Sequence, residues 1–150
     1  MTSITISNPR KWFHMSKKNG FLPRDGRVSV VLERLENPHK KVPAIHVAGT
    51  NGKGTTCAYL SNLLQLSGYK VGLFTSPHLC KVEERIRINA DIISVDDFDI
   101  LLSEIQKAAE FPHEIKLSFY EISFIASMLA FSRENVDWCV IETGLGGRLD

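Results

Sequence analysis

The sequence predicts an α/β domain of three layers, a mostly parallel sheet with helices on both faces. Three observations predict it. Segments with a 3.6-residue apolar period alternate along the chain with short apolar runs of strand length. One such run, Pro43 to Ala48, passes straight into a glycine-rich turn and then a helical stretch. Another, Val136 to Ile141, ends in Glu142 and a second glycine-rich loop.

Taken in order, residues 1–40 read as a helical lead-in. Val28, Val31, Leu32 and Leu35 follow an i, i+3, i+4, i+7 spacing that turns one stripe to a core. Asn37-Pro38 stops that helix. Pro43 to Ala48 reads as a buried parallel strand. Thr55 to Ser67 is the next helix, with Leu60, Leu63 and Leu64 inward and Gly68 as its stop. Lys70 to Thr75 is a second strand, completing a βαβ unit expected to be right-handed. Ser76 to Val95 reads as mostly loop, with a short strand at Arg85 to Asn89. Ser94 caps a helix whose first turn holds Asp96 and Asp97, and Phe98, Leu101, Leu102 and Ile105 form its stripe. Ser118 to Glu134 is the most apolar helix, and its small polar face predicts cover on several sides. Val136 to Ile141 is the third strand. Nothing closes the loop after Glu142 before Asp150, so the expectation is an N-terminal domain, residues 1–150, of a longer protein, without its C-terminal domain.

Bulk properties exclude several function classes. The 18 basic and 17 acidic residues nearly cancel, which gives no basis for non-specific nucleic-acid or membrane-surface binding. No segment offers the roughly 18 uninterrupted apolar residues of a membrane span, and the first residues hold no signal-peptide block. Cys57, Cys80 and Cys139 form no metal-ligand spacing and are assigned, with the two tryptophans, to packing in a reducing, cytoplasmic compartment.

The chemistry lies in the loops. Gly49-Thr50-Asn51-Gly52-Lys53-Gly54-Thr55-Thr56 follows a strand and opens a helix, the context of a phosphate loop. Glycine-rich backbone turns its N–H groups on an anion, and the helix start adds unpaired N–H groups and a positive dipole end. Lys53 supplies a full charge to the outer phosphates, and Thr55 or Thr56 offers a hydroxyl to Mg²⁺. The spacing departs from GxxxxGK[ST], because Val47 stands at the first glycine and Gly54 separates Lys53 from Thr55. The plainer alternative is a glycine-rich turn with an exposed lysine.

Ligands of open parallel sheets bind beyond the carboxyl ends of the strands. Glu142 ends the third strand there, where a carboxylate needs a cation or a donor. Mg²⁺ beside ATP is one answer, and an ion pair with Arg148 is the other. Ser76 and His78 follow the second strand, and each has an ordinary turn or donor role open to it. Arg85 and Arg87 alternate with Ile86 and Ile88 and read by default as a solvated charged edge, with an anionic substrate as the alternative. Glu121 is either an N-terminal helix charge or a ligand contact.

Together, the runs His46 to Thr56, Phe74 to Leu79, Glu84 to Asn89, Leu117 to Glu121 and Glu142 to Asp150, in this order, resemble folylpolyglutamate synthase and dihydrofolate synthase of the Mur ligase superfamily. The resemblance runs from about Gly26 to the end, and Gly54 is a feature of this folate branch. It implies a P-loop-type domain like the Mur ligase central ATPase domain. It also implies ATP-dependent addition of L-glutamate to a folate or dihydropteroate through an acyl phosphate, by a monomer when full length. By the match, Lys53 binds the outer phosphates and acts with Glu142 in catalysis. Ser76 and Glu142 hold Mg²⁺, with Thr55 as a further candidate contact. His78, Phe119, Tyr120 and Glu121 lie toward the pterin-bearing substrate. Departures are Ala90 where the family often has glycine, Tyr120 where phenylalanine is commoner, Ser118 where threonine is, and Thr143 where valine is. The competing readings are a peptidoglycan-precursor or cyanophycin-type ligase, against which Gly54 argues, and a nucleotide-binding module or inactive remnant.

Overall fold

The computed structural model describes residues 8–20 and 26–147. Three parallel strands form the centre of the sheet: β1 (Ala44–Val47), β5 (Trp138–Glu142) and β2 (Val71–Phe74), side by side in that order. β3 (Ile86–Ile88) and β4 (Asp91–Ile92) extend it antiparallel beyond β2. Helices α1 (Pro9–Met15), α2 (Arg27–Arg34), α4 (Val95–Glu110) and α5 (Phe119–Arg133) belong to one layer, and α3 (Lys53–Leu66) to the other.

The alternation of strand side chains divides the core accordingly. Cys139 and Ile141 of β5 join the larger cluster with Phe74, Phe98, Ile125 and Phe131. Val140, between them, joins Cys57 of α3 and Val71 on the opposite face. The mostly parallel three-layer architecture expected from the sequence is therefore the one observed.

Local signals set the helix starts. Ser94 Oγ accepts the Asp97 N–H at 3.0 Å, one turn into α4. Ser118 and Glu121 form a reciprocal capping box at α5, each side chain accepting the other's backbone N–H. Phe98, Leu101, Leu102 and Ile105 are buried as their spacing requires.

Several expectations need correction. β5 inserts between β1 and β2, so the first βαβ unit spans a strand supplied much later in the chain. β1 is half-exposed rather than buried, because among the described residues it pairs with β5 on one side only. α3 begins at Lys53, two residues before the expected start, and Leu63 is 60% exposed. Cys57 and Ser61 are the buried residues of that helix, with Leu60 and Leu64 at the margin of the contact. The hairpin partner β4 was not anticipated; two residues of strand carry too little periodicity to read. Among the described residues no helix is long and apolar enough to cross a membrane.

α5 lies close over β2. A Cβ built on Gly72 stands 2.5–2.7 Å from the Phe131 ring, inside van der Waals contact. Gly72→Ala is expected to destabilise the fold by about 1–3 kcal/mol through overpacking, measured as a lower urea midpoint at unchanged slope.

The cysteines do not all pack. Cys57 and Cys139 are buried, but Cys80 is exposed, in the loop after β2. Burial pushes the Cys57 thiol up to about 11 and the Cys139 thiol up to about 12. A thiol reagent at neutral pH is therefore expected to label Cys80 quickly and the other two only after unfolding, as mass spectrometry of the labelled protein would read.

Candidate phosphate and metal site

The site forms where β1 gives way to α3. Gly52 occupies the N-cap of α3 with a φ of 76°, a left-handed conformation that glycine adopts without strain. Having no side chain, it leaves the first turn of α3 without a side-chain cap, as Gly26 does at α2, whereas Asn8, Ser94 and Ser118 cap α1, α4 and α5. Uncapped N–H groups at a helix start are an anion-binding surface. Lys53 Nζ donates to Gly49 O at 2.9 Å, which folds the ammonium back across its own loop. Thr50, Asn51, Thr55 and Thr56 are exposed around it.

Glu142 ends β5 directly beside this turn, in register with Val47 of β1. Its side chain is buried, and Oε2 accepts the Ser76 backbone N–H at 2.9 Å. A Cβ built on Gly54 would stand 3.7 Å from both Glu142 oxygens. The extra glycine of the loop therefore faces the carboxylate, and a longer side chain there would enter the space between helix start and carboxylate. The structure brings Lys53, Gly54, Ser76 and Glu142 together, although they come from three separate strand ends. Arg148, the alternative partner for Glu142, lies outside the described residues.

A cavity of about 1050 Å³ adjoins this point, with Lys53, Ser76, Phe119, Tyr120 and Glu121 on its wall. Tyr120 is fixed from two directions. Its hydroxyl donates to Glu142 O at 3.1 Å, and its ring lies so close to Gly144 that a Cβ there would meet it at 2.6 Å. Glu121 has partners on both oxygens, the Ser118 N–H at 2.7 Å and Arg27 at 3.1 Å. These contacts hold its carboxylate at the start of α5, on the cavity wall. His78 sits apart, on the wall of a smaller adjoining cavity of about 400 Å³. Its Nδ1 accepts from Arg85 Nε at 2.9 Å, so that nitrogen carries no proton. Burial, then the charges of Arg85 and Lys17, hold His78 below the ordinary imidazole value.

Sequence reasoning treated Arg85 as part of a solvated edge, and the structure corrects this. Arg85 ends a 3-10 turn, Val82–Arg85, before β3 begins, so it does not share the alternation of Arg87. It is buried and lines the large cavity, while Arg87 Nε donates to the backbone carbonyl of Glu84, the residue before Arg85. Lys17, Arg27 and His46 also line the cavity and carried no local signal.

Among the described residues, no group of three or more histidine, cysteine or acidic side chains gathers to hold a metal. A single buried carboxylate beside a serine still fits Mg²⁺, which keeps several waters and takes one or two carboxylates plus substrate phosphates.

No family model matches the chain. Similar proteins do. A dihydrofolate synthase/folylpolyglutamate synthase of Bacillus subtilis is 39% identical over 145 residues, covering 94% of this chain and 34% of that protein. A dihydrofolate synthetase of Saccharomyces cerevisiae is 40% identical over 124 residues, 83% of this chain and 29% of that protein. Escherichia coli FolC in complex with ADP superposes with a TM-score of 0.84 at 36% identity, over 97% of this chain and 34% of that one.

The chain belongs to the folylpolyglutamate synthase/dihydrofolate synthase family.

It corresponds to the N-terminal part, about a third of the length of the curated relatives it matches. A further member, the bifunctional synthase of Yersinia pestis complexed with AMPPNP and Mn ion, matches 97% of this chain and 35% of its own, with a TM-score of 0.85 at 32% identity.

Proposed function

We propose that this chain is the ATP- and Mg²⁺-binding part of a ligase that joins L-glutamate to a folate or dihydropteroate. The observation that carries the reading is the buried Glu142 carboxylate, held by the Ser76 amide and facing Gly54 at the uncapped start of α3. An isolated buried carboxylate is costly unless a cation or donors answer it, and a metal-bound triphosphate supplies that cation. The relatives solved with ADP, AMPPNP and Mn support the choice of nucleotide and divalent metal.

In this reading the glycine loop and the first N–H groups of α3 hold the phosphates, and Lys53 leaves the Gly49 carbonyl to neutralise their outer charge. Ser76 and Glu142 hold the metal, with Thr55 as a further contact. Mg²⁺, when bound, supplies charge neutralisation at the transferring phosphoryl group. The acceptor carboxylate oxygen bonds to the γ-phosphorus as the bond to ADP breaks. The glutamate amine then attacks the acyl carbon, phosphate leaves, and the ammonium proton passes to solvent. Positioning and charge neutralisation are the protein's contribution. Phe119 and Tyr120 offer the pterin-bearing substrate an apolar wall, with Glu121 and His78 at its margins. Three free cysteines suit a reducing cytoplasm.

The test is the full-length protein with ATP and labelled glutamate, comparing dihydropteroate and tetrahydrofolate as acceptors. Acceptor-dependent incorporation with ADP release is expected. Nucleotide binding without incorporation on either acceptor would leave the binding-module reading in its place.

A further inference from the structure

Around Phe119 the structure gathers positive charge that no described acid answers. The Arg85 guanidinium lies over one part of the ring, 5.1 Å from its centroid, and Lys17 Nζ lies 4.9 Å from the same centroid. His78 packs beside them at 6.1 Å. Arg85 is 8% exposed, and its side-chain partners are the neutral Nδ1 of His78 and the Phe119 ring. An arginine does not give up its proton, so burial leaves a full charge in place. The acids close by in sequence or space are committed elsewhere. Glu83 pairs with Arg10 at 2.8 Å. Glu84 accepts the backbone N–H groups of Leu79, Cys80 and Lys81. Glu121 pairs with Arg27. Cation–ring contacts offset part of the cost, but two cations on one ring also repel each other.

We propose that Arg85 and Lys17 form an anion subsite for the carboxylate of the acceptor, on the wall of the large cavity and separate from the phosphate loop. The inference rests on the proposed function for the identity of the acceptor. A guanidinium fork matches a carboxylate, and Phe119, stacked on Phe13 at 4.2 Å, is the fixed platform that holds both cations at the cavity wall. The position suits the reaction. Thr75 N–H donates to Arg85 O at 3.0 Å, so Arg85 is one ladder rung from the residue before Ser76, whose amide holds Glu142. A carboxylate on Arg85 would therefore lie next to the proposed metal site. A phosphate is the other anion that fits a guanidinium. The carboxylate is preferred because the uncapped turn and Lys53, which serve phosphate, lie at the end of β1 and not at β2.

The experiment measures equilibrium binding of dihydropteroate and of its carboxamide to the full-length protein, in wild type, Arg85→Met, Arg85→Lys and Lys17→Met. Nucleotide affinity is measured on the same samples. Wild type is expected to prefer the carboxylate by on the order of 10-fold or more, the worth of one charged hydrogen-bonded pair. Arg85→Met should abolish that preference while nucleotide affinity stays the same, and Arg85→Lys should keep part of it. If Arg85→Met does not fold, the wild-type comparison and the exposed Lys17→Met variant decide. The subsite is overturned if wild type binds the two compounds equally or binds neither. It is also overturned if the preference survives in Arg85→Met, or if Lys17→Met leaves it whole when Arg85→Met cannot be made. A parallel loss of nucleotide affinity in Arg85→Met would make Arg85 a phosphate contact and likewise overturn it. Glutamate incorporation by wild type is read separately, so the ligase reading can stand while the subsite falls.

Discussion

Lys53→Ala in the full-length protein is expected to lower kcat for ATP-dependent glutamate addition on the order of 10²–10³-fold, the usual cost of removing one charge-stabilising donor from a transition state. Folding should hardly change. The Lys53 ammonium makes a single exposed hydrogen bond, to a carbonyl of its own loop, which contributes about 1 kcal/mol at most. The two effects separate in one pair of measurements, a thermal melt and a steady-state assay. Turnover close to wild type would return Lys53 to an ordinary exposed lysine on a glycine-rich turn.

The second large effect is expected at Glu142. Glu142→Gln keeps the shape and an oxygen for the Ser76 N–H but removes the charge. The Mg²⁺ concentration for half-maximal activity should rise on the order of 10–100-fold or more, since even groups that only support metal ligands cost that much. Stability should hold or rise slightly, because the substitution removes a buried charge in a protein with no metal added. A metal titration that superposes on that of wild type would assign Glu142 to structure alone.

What the sequence made readable was local. The junction from strand to glycine turn to α3, the Ser94 cap and the Ser118–Glu121 capping box all depend on residues within a few positions of one another. The insertion of β5 between β1 and β2 was not readable, since parallel neighbours carry no pairing signal in their own residues. Leu63 was placed inward because helical periodicity gives a stripe but not which stripe meets the sheet; Cys57 and Ser61 take that place. Glu121 has two roles open in the sequence, and its pairing with Arg27, 94 residues away, has no local signal there. Arg85 looked like an edge residue because its burial depends on the start of α5, far along the chain. In the site, the loop and Glu142 were visible from their motifs, whereas the cavity between them and α5 is a property of packing.

The central claim is that phosphate and metal meet between the start of α3 and Glu142. Diffraction from the full-length protein crystallised with a non-hydrolysable ATP analogue and Mn²⁺ tests it most directly. The account predicts an anomalous manganese peak about 2 Å from a Glu142 oxygen, with phosphate density against the backbone amides of residues 49–55. A manganese peak and phosphates found together elsewhere, with Glu142 and Lys53 placed as they are here, would contradict it.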